Sequence, residues 1–186
     1  MEFVKRKLEG MFDVRLNLLT DHRGFLARTY DADLFAAVGI HLPWLQHTLS
    51  YTERRNTLRG LHAQKSAFSE AKLLLPLSGQ MFWVSVDLRK ESPTFGQWDT
   101  TLLDPEKGEA LYVPRGFGHG CLSMTDKVLL HIFADNRFSH EHGFGIRWDD
   151  PELAIAWPEM EEPRILSDAH LVNPGFRHFL ETVGGL

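Results

Sequence analysis

The sequence has little cysteine, no long uncharged apolar run and no excess of positive charge. Cys121 is its one cysteine, which excludes an internal disulfide framework and a cysteine-rich zinc site and suits a reducing compartment such as the cytoplasm. No run is long and apolar enough to span a bilayer, and no apolar stretch follows the charges of MEFVKRKLEG, so neither export nor a membrane role is indicated. A net charge of -5 argues against bulk binding of nucleic acid.

The length of 186 residues is near that of one domain, which can bury a sizeable core without metal or disulfide staples. There is no internal repeat, low-complexity tract or Ser/Gly-rich linker at which the chain would divide. We therefore expect a single domain over residues 1–186.

Short β-rich runs separated by Gly and Pro dominate the chain. LLLPLSGQMFWVSVDL, residues 73–88, is typical of a hairpin that turns at Ser78-Gly79. Further strands are predicted at residues 100–103, 110–114, 128–134 and 144–148, and short helices at 31–39 and 173–183. This spacing favours an all-β sandwich or barrel with short peripheral helices over βαβ units.

The segment NTLRGLHAQ, residues 56–64, places polar side chains at short spacing in an apolar run. Alternation along a strand would send His62 and Gln64 to the same face. His119 lies in a comparable segment, PRGFGHG, and glycine lets the backbone turn sharply or approach a ligand closely. We expect both segments at the rim of a cavity; the alternative is two barrel corners with incidental histidines.

The chemistry of this cavity depends on Lys72. His62 and His119 supply only two metal ligands, and an ammonium at Lys72 would repel a metal ion, so we expect no metal. An ammonium next to a carbonyl oxygen stabilises an enolate, while a neutral histidine removes the α-proton. The alternative is a lysine on an ordinary solvated face.

Two arginines near turns, Arg23 in DHRG and Arg59 in LRGL, present planar guanidinium groups that suit a diphosphate. Arginines at turns are common, so neither is informative alone. Together with an inward histidine and lysine, they indicate an anionic ligand held at one end and a proton-transfer centre at the other.

The chain resembles the cupin-fold dTDP-4-dehydrorhamnose 3,5-epimerases and related nucleotide-sugar epimerases. The combination of LRGLH (58–62), VDLRKESPTFG (86–96) and PRGFGHG (114–120) in that order carries the resemblance, which covers nearly the whole chain. The matching segments are DHRGFL (21–26), LQHTLS (45–50), LRGLHAQ (58–64), AKLLLPLSG (71–79), VDLRKESPTFGQW (86–98), LYVPRGFGHG (111–120), IRWDDPELAIAWP (146–158) and ILSDAH (165–170).

The resemblance implies an antiparallel cupin-type jelly roll, usually a dimer with strand exchange near the N-terminus, without metal or redox cofactor. It implies a nucleotide-linked 4-keto-6-deoxyhexose as substrate. By the same resemblance, His62 is the base and Lys72 supports the enolate. Substrate binding falls to Arg23 and Arg59 at the diphosphate, to Gln46, and to His119 in the pocket wall.

The chain departs from the family pattern at several positions. The usual tyrosine acid falls at His131 or Ile132, and we expect His131 to return the proton because histidine can serve as an acid near neutral pH. His170 stands where an aspartate usually pairs with the base, and Trp83 replaces another aspartate. On the nucleotide side, Arg28 and Thr48 replace an acidic residue and an asparagine, which favours a base other than thymine.

Three functions fit these residues. The first is epimerisation at C3, C5 or both, in deoxysugar biosynthesis, with His131 as the acid. The second is a keto-sugar isomerisation that uses one face only, and the third is nucleotide-sugar binding without turnover. We favour the first because His62 and Lys72 both remain and a pure binder needs neither; a metal-dependent oxygenase is a distant fourth.

Overall fold

Two antiparallel sheets packed face to face make up most of the computed structural model, which describes residues 1–186, with the side chains of 1–65 and 67–186. The strands are β1 Glu2–Lys5, β2 Phe12–Arg15, β3 Leu18–Asp21, β4 Gly24–Ala27, β5 Gln46–Thr52, β6 Leu58–Gln64, β7 Lys72–Ser78, β8 Met81–Asp87, β9 Trp98–Leu103, β10 Glu109–Val113, β11 Phe117–Ser123, β12 Val128–Ala134 and β13 Gly143–Gly145. The helices are α1 Ala32–Ala37, α2 Asp168–Leu171 and α3 Phe176–Thr182.

One sheet has the strand order β1-β2-β10-β7-β12-β5 and the other β13-β6-β11-β8-β9, while β3 and β4 form a separate hairpin. The predicted jelly roll with short peripheral helices is confirmed. Within the described residues, no helix combines the length and the apolar character that crossing a membrane requires.

The predicted hairpin at residues 73–88 is wrong in its pairing. Both strands exist, but β7 pairs with β10 and β12 in one sheet, whereas β8 pairs with β11 and β9 in the other. The Ser78-Gly79 turn therefore crosses between two packed sheets. A short turn and alternating apolar residues are common to both arrangements, so local sequence does not distinguish them.

The predicted ends of the chain also differ from the structure. The strand at 144–148 is reduced to β13, beyond which pairing with β6 continues through the Ile146 N–H to the Leu61 carbonyl at 2.9 Å. The C-terminal helix is shorter than predicted, and α2 precedes it in a segment for which no helix was expected. At α1 the prediction is met: the Asp31 carboxylate accepts hydrogen bonds from the backbone N–H groups of the first turn.

Apolar side chains fill three layers. The cluster between the sheets includes Leu74, Trp83 and Phe117, and the C-terminal segment covers the outer face of the five-stranded sheet with Trp157 and Phe176. A third cluster packs α1 against the outer face of the six-stranded sheet. The inner layer does not fill the whole space between the sheets, and the remaining space forms a cavity.

An irregularity at Gly60 determines which side chains of β6 face the interior. Arg59 pairs with Cys121 and His62 with His119, and the register shifts between the two pairs. Arg59 and His62 therefore share the inner face although they are three residues apart. Gly60 has φ +105°, and a Cβ there would lie 2.7 Å from the Gly120 Cα, so only glycine fits.

We expect Gly60→Ala to lower the free energy of unfolding by about 2 kcal/mol or more, because alanine is strained at positive φ and would press on β11. Urea denaturation followed by circular dichroism measures this loss. Gly143→Ala is the control, since its φ is -71° and its Cβ would meet its nearest neighbours at 3.5 Å. Equal denaturation midpoints for the two variants would contradict the prediction.

Candidate active site

A cavity of about 880 Å³ opens between the two sheets. Its walls carry the polar side chains that the strands direct inward. The five-stranded sheet contributes His62, Gln64, Phe117 and His119, the six-stranded sheet contributes Gln46, Thr48, Lys72, Ile132 and Ala134, and the connecting segments add Glu70, Phe138, His140, His170 and Asn173.

His62 and His119 lie side by side on β6 and β11 and face the cavity. The ring of His62 is accessible from the cavity, yet the surrounding protein and the charges of Lys72, His170 and Arg59 lower its pKa to about 4. Burial first, and then Lys72 and His62, hold the pKa of His119 well below its usual range. Both rings are therefore neutral near pH 7, the form in which histidine accepts a proton.

Lys72 faces these histidines from the other sheet. Its Nζ lies 2.7 Å from Oε2 of Glu70, and both side chains are largely buried. Among the described side chains, Glu70 is the one carboxylate that lines the cavity. The sequence prediction missed Glu70, although it precedes Lys72 by two residues and such a spacing places side chains on one side of an extended chain.

His170 of α2 lies beside His62. The rings of His62 and His170 are stacked with centroids 6.0 Å apart and planes at 10°. The Gly60 N–H donates to His170 Nε2 at 3.4 Å, so in the neutral ring Nδ1 carries the hydrogen and donates to Ser167 Oγ at 3.1 Å. These two hydrogen bonds fix the orientation of the His170 ring beside His62. Burial and the charge of Arg59 lower the pKa of His170.

A carboxylate that would raise the basicity of the histidines is not present beside them among the described side chains. Asp168 begins α2 and does not line the cavity, and Trp83 packs 5.6 Å from the His119 ring while its Nε1 donates to Ser85. His119 Nδ1 is buried and has no hydrogen-bond partner within the described residues. The low pKa of His62 follows from this environment.

Gln46 and Thr48 line the cavity as predicted, and Gln46 Oε1 accepts from the Phe138 N–H at 2.8 Å. Arg59 does not line it. Its guanidinium donates to the Tyr51 carbonyl at 3.3 Å, yet its charge acts on both His62 and His170. Arg59 therefore lies at the edge of the cavity.

The structure does not bring Arg23 and Arg28 to the cavity of their own chain. Arg23 lies on the β3–β4 hairpin and pairs with Asp21 at 2.6 Å, while Arg28 follows the hairpin and pairs with Asp31 at 2.7 Å. Both arginines are exposed. The predicted contacts of Arg23 with a diphosphate and of Arg28 with the nucleotide are not available within one chain.

The predicted role of His131 as the acid is corrected by the geometry of β12. Ile132 faces inward, lines the cavity and packs against the core between the sheets. His131 lies on the outer face, where its ring is 4.3 Å from that of Phe133 and 5.6 Å from that of His47. Successive side chains of a strand point to opposite faces, so the residue in the position of the expected tyrosine is Ile132.

No group of three or more His, Cys, Asp or Glu side chains is arranged to hold a metal ion in the part of the chain whose side chains are described. Phe138, His140 and Asn173 complete the cavity, and sequence reasoning did not select them. Phe138 and Asn173 lie on loops and His140 begins a single 3-10 turn, His140–His142, and neither period nor motif predicts which way such side chains point.

Comparison with known proteins gives concordant results. The family model described as dTDP-4-dehydrorhamnose 3,5-epimerase matches residues 5–177. A dTDP-4-dehydrorhamnose 3,5-epimerase of Methanothermobacter thermautotrophicus is 34% identical over 89% of each chain. A dTDP-4-dehydrorhamnose 3-epimerase of Streptomyces niveus is 35% identical over 81% of this chain and 73% of its own length.

Solved structures agree in fold and extent. The dTDP-4-dehydrorhamnose 3,5-epimerase of Bacillus anthracis, with TDP and PPi bound, has a TM-score of 0.90 at 32% identity and covers 94% of this chain and 99% of its own. A 4-keto-6-deoxy sugar epimerase from the novobiocin gene cluster of Streptomyces spheroides has a TM-score of 0.91 at 29% identity. The match covers 98% of this chain and 91% of the Streptomyces chain. The sequence match, the shared fold and the inward His62 and Lys72 lead to one conclusion: the chain belongs to the dTDP-4-dehydrorhamnose 3,5-epimerase family, a family of isomerases of deoxysugar biosynthesis.

Proposed function

We propose that this chain epimerises a nucleotide-linked 4-keto-6-deoxyhexose at C3, C5 or both. The observation that carries the proposal is the shared cavity of His62 and Lys72, in which a neutral imidazole and an ammonium approach from opposite sheets. The carbonyl at C4 acidifies the hydrogens on both neighbouring carbons. A base on one side and a cation at the carbonyl oxygen are what enolate formation requires.

His62 removes the proton as a neutral ring, and the electron pair of the C–H bond passes into an enolate whose oxygen lies at Lys72. The low pKa of His62 makes it a weak base but keeps all of it in the accepting form at neutral pH. The imidazolium that results is correspondingly a strong acid and gives its proton back readily. Return from the same face regenerates the substrate, and inversion requires a donor on the opposite face.

The nucleotide diphosphate occupies the mouth of the cavity in this proposal. Gln46, Thr48, His119 and His170 contact the ligand within the cavity, and Arg59 reaches the diphosphate from the edge. TDP bound to the Bacillus anthracis relative supports a nucleotide ligand. The proposal does not specify the nucleobase of the substrate, because Arg28 and Thr48 depart from the family pattern on the nucleotide side. A free, buried Cys121 suits the cytoplasm as the site of action.

A homodimer supplies Arg23 and Arg28 in this proposal. The β3–β4 hairpin, which carries Arg23, exposes Leu19, Phe25 and Leu26, and the edge strand β5 of the six-stranded sheet exposes further apolar side chains. Exposed apolar hairpins and edge strands are commonly covered by a partner. A second copy that covers them also accounts for arginines that do not reach the cavity of their own chain.

A keto-sugar isomerisation is the second candidate, favoured by Ile132. An apolar side chain where the family usually has an acid leaves His62 to remove and return protons on one face. This outcome moves the carbonyl without inverting a carbon, so product structure separates it from epimerisation.

In deuterated water, at least one of the dTDP-, CDP- and GDP-linked 4-keto-6-deoxyhexoses should take up deuterium at C3 or C5, and His62→Asn should slow uptake roughly 10²- to 10⁴-fold because the base is lost. Mass spectrometry measures uptake and proton NMR gives its position and the product configuration. His178→Asn, exposed on α3, is the control. His131→Phe should match wild type, since His131 faces away from the cavity. Binding without exchange across dTDP, CDP and GDP sugars would refute the proposal and indicate a binding module.

The His62 ring should titrate at about pH 4, and Lys72→Met should raise this pKa because the ammonium opposes a second positive charge. Nitrogen-detected NMR of the His62 ring measures its pKa in the wild type and in Lys72→Met. Between pH 6.5 and about 4, His62 is protonated in the unfolded chain but neutral in the native chain. The native state therefore becomes less stable relative to the unfolded state as the pH falls through this range. Lys90→Met is the control, since that charge does not act on His62. An unchanged His62 pKa in Lys72→Met would contradict the prediction.

Phe25→Asp should convert the dimer to monomer, because a carboxylate would be buried against an apolar partner. Analytical ultracentrifugation measures the mass, and Val172→Asp is the control, since Val172 is 80% exposed and Phe25 69%. Arg23→Ala and His62→Asn chains, each inactive alone, should regain activity when mixed, because one cavity then holds a native His62 and a native Arg23. A monomeric wild type, or mixtures without recovery, would show that the arginine is not exchanged.

A further inference from the structure

Inversion needs a proton donor on the wall opposite His62, and the position in β12 that faces the cavity holds Ile132. We propose that Lys72, held in place by Glu70, is this donor, and that it replaces the acid that is absent at position 132. This inference rests on the proposed epimerase function. It assigns Lys72 a proton transfer in addition to stabilising the enolate, and it assigns Glu70 a positioning role.

The two residues that exchange protons with the sugar lie on different walls. His62 belongs to β6 of the five-stranded sheet and Lys72 to β7 of the six-stranded sheet. A sugar ring between the sheets presents one face to each. A proton removed by His62 and replaced from Lys72 therefore enters on the opposite face, which inverts the carbon.

Lys72 and Ile132 belong to the same wall. In the register of β7 and β12, Lys72 lies opposite Ala134 and Leu74 lies opposite Ile132, so Lys72 and Ile132 are diagonal neighbours on the inner face. A donor at Lys72 thus approaches the sugar from the side where a donor at position 132 would act.

The inner face of this wall offers no other ionisable donor among the described residues. Besides Lys72 it presents Gln46, Thr48, Ile132 and Ala134. The side-chain amide of Gln46 and the aliphatic hydroxyl of Thr48 are not acidic enough to give up a proton near neutral pH. His47 also borders the cavity, but its ring packs against Phe133 at 4.4 Å on the outer side of the sheet.

Glu70 gives the ammonium a fixed direction. An ammonium has three N–H donors, and the contact at 2.7 Å to Glu70 occupies one, which leaves two for the cavity. The carboxylate also balances the charge of Lys72 next to two histidines, one of which becomes cationic during the reaction. Because Glu70 acts through Lys72, it is a positioning residue.

The step balances without any reactant other than water. His62 takes the proton from carbon, and the C–H electron pair forms the enolate. A proton of the Lys72 ammonium then bonds to the carbon from the other face, the enolate electron pair forms the new C–H bond, and the N–H electron pair stays on nitrogen as a neutral amine. The imidazolium loses its proton to water and the amine gains one, so nothing is oxidised or reduced.

Lys72→Arg separates the two roles of the lysine, because a guanidinium keeps the positive charge but does not deprotonate in proteins. The experiment measures deuterium uptake into recovered substrate and formation of inverted product in deuterated water, with the dTDP-, CDP- or GDP-4-keto-6-deoxyhexose that the wild type exchanges fastest. We expect uptake in Lys72→Arg within about 10-fold of wild type and inversion reduced about 10²-fold or more. Uptake and inversion that fall by the same factor would overturn the inference.

Glu70→Gln tests the positioning role with a side chain of nearly the same shape, and it keeps the inference testable if Lys72→Arg does not fold. The ratio of uptake to inversion should rise about 10-fold in Glu70→Gln and return toward wild type in Glu70→Asp. An unchanged ratio in Glu70→Gln would overturn this inference but not the proposed epimerase function. A wild-type protein that exchanges no deuterium would overturn the proposed function, and this inference with it.

Discussion

The charge of Lys72, facing two histidines across the gap between the sheets, is the interaction on which the site depends. Protein surrounds His62 and His119 closely enough that burial already disfavours their charged forms, and the ammonium disfavours them further. The cavity therefore holds one cation, one carboxylate at Glu70, and neutral rings that accept protons. Proton abstraction adds two further charges, because the substrate becomes an enolate and His62 becomes cationic.

The backbone of β6 makes this arrangement possible. Regular alternation would not place Arg59 and His62 on the same face, because they are three residues apart. The register shift at Gly60 corrects the spacing, so His62 faces Lys72 while Arg59 stays at the edge of the cavity, where a diphosphate is bound in the proposed function. A glycine with positive φ and no room for a Cβ is thus part of the active site without touching its chemistry.

Sequence reasoning predicted what period and motif determine. The jelly roll, the shared face of His62 and Gln64, and the inward Lys72 followed from alternation and from the family resemblance. The pairing of β7 with β8 did not, because a turn between two sheets looks like a hairpin turn. The assignment of the acid to His131 was wrong. Choosing between His131 and Ile132 requires the register of β12, which only the neighbouring strands fix. No pattern within one chain predicts where Arg23 acts if a second chain completes the site.

Ile132 and the low pKa of His62 act on the same step. A weakly basic histidine yields a strongly acidic imidazolium, so an enolate in this cavity is reprotonated quickly on the face from which the proton came. Inversion and return to substrate then compete for one intermediate, and their ratio depends on how well a donor on the opposite wall is aimed. An apolar side chain at position 132 leaves that ratio to Lys72. In the mechanism proposed for this chain, the difference between an epimerase and an exchange catalyst is therefore the orientation of the Lys72 ammonium, whose Nζ lies 2.7 Å from Oε2 of Glu70.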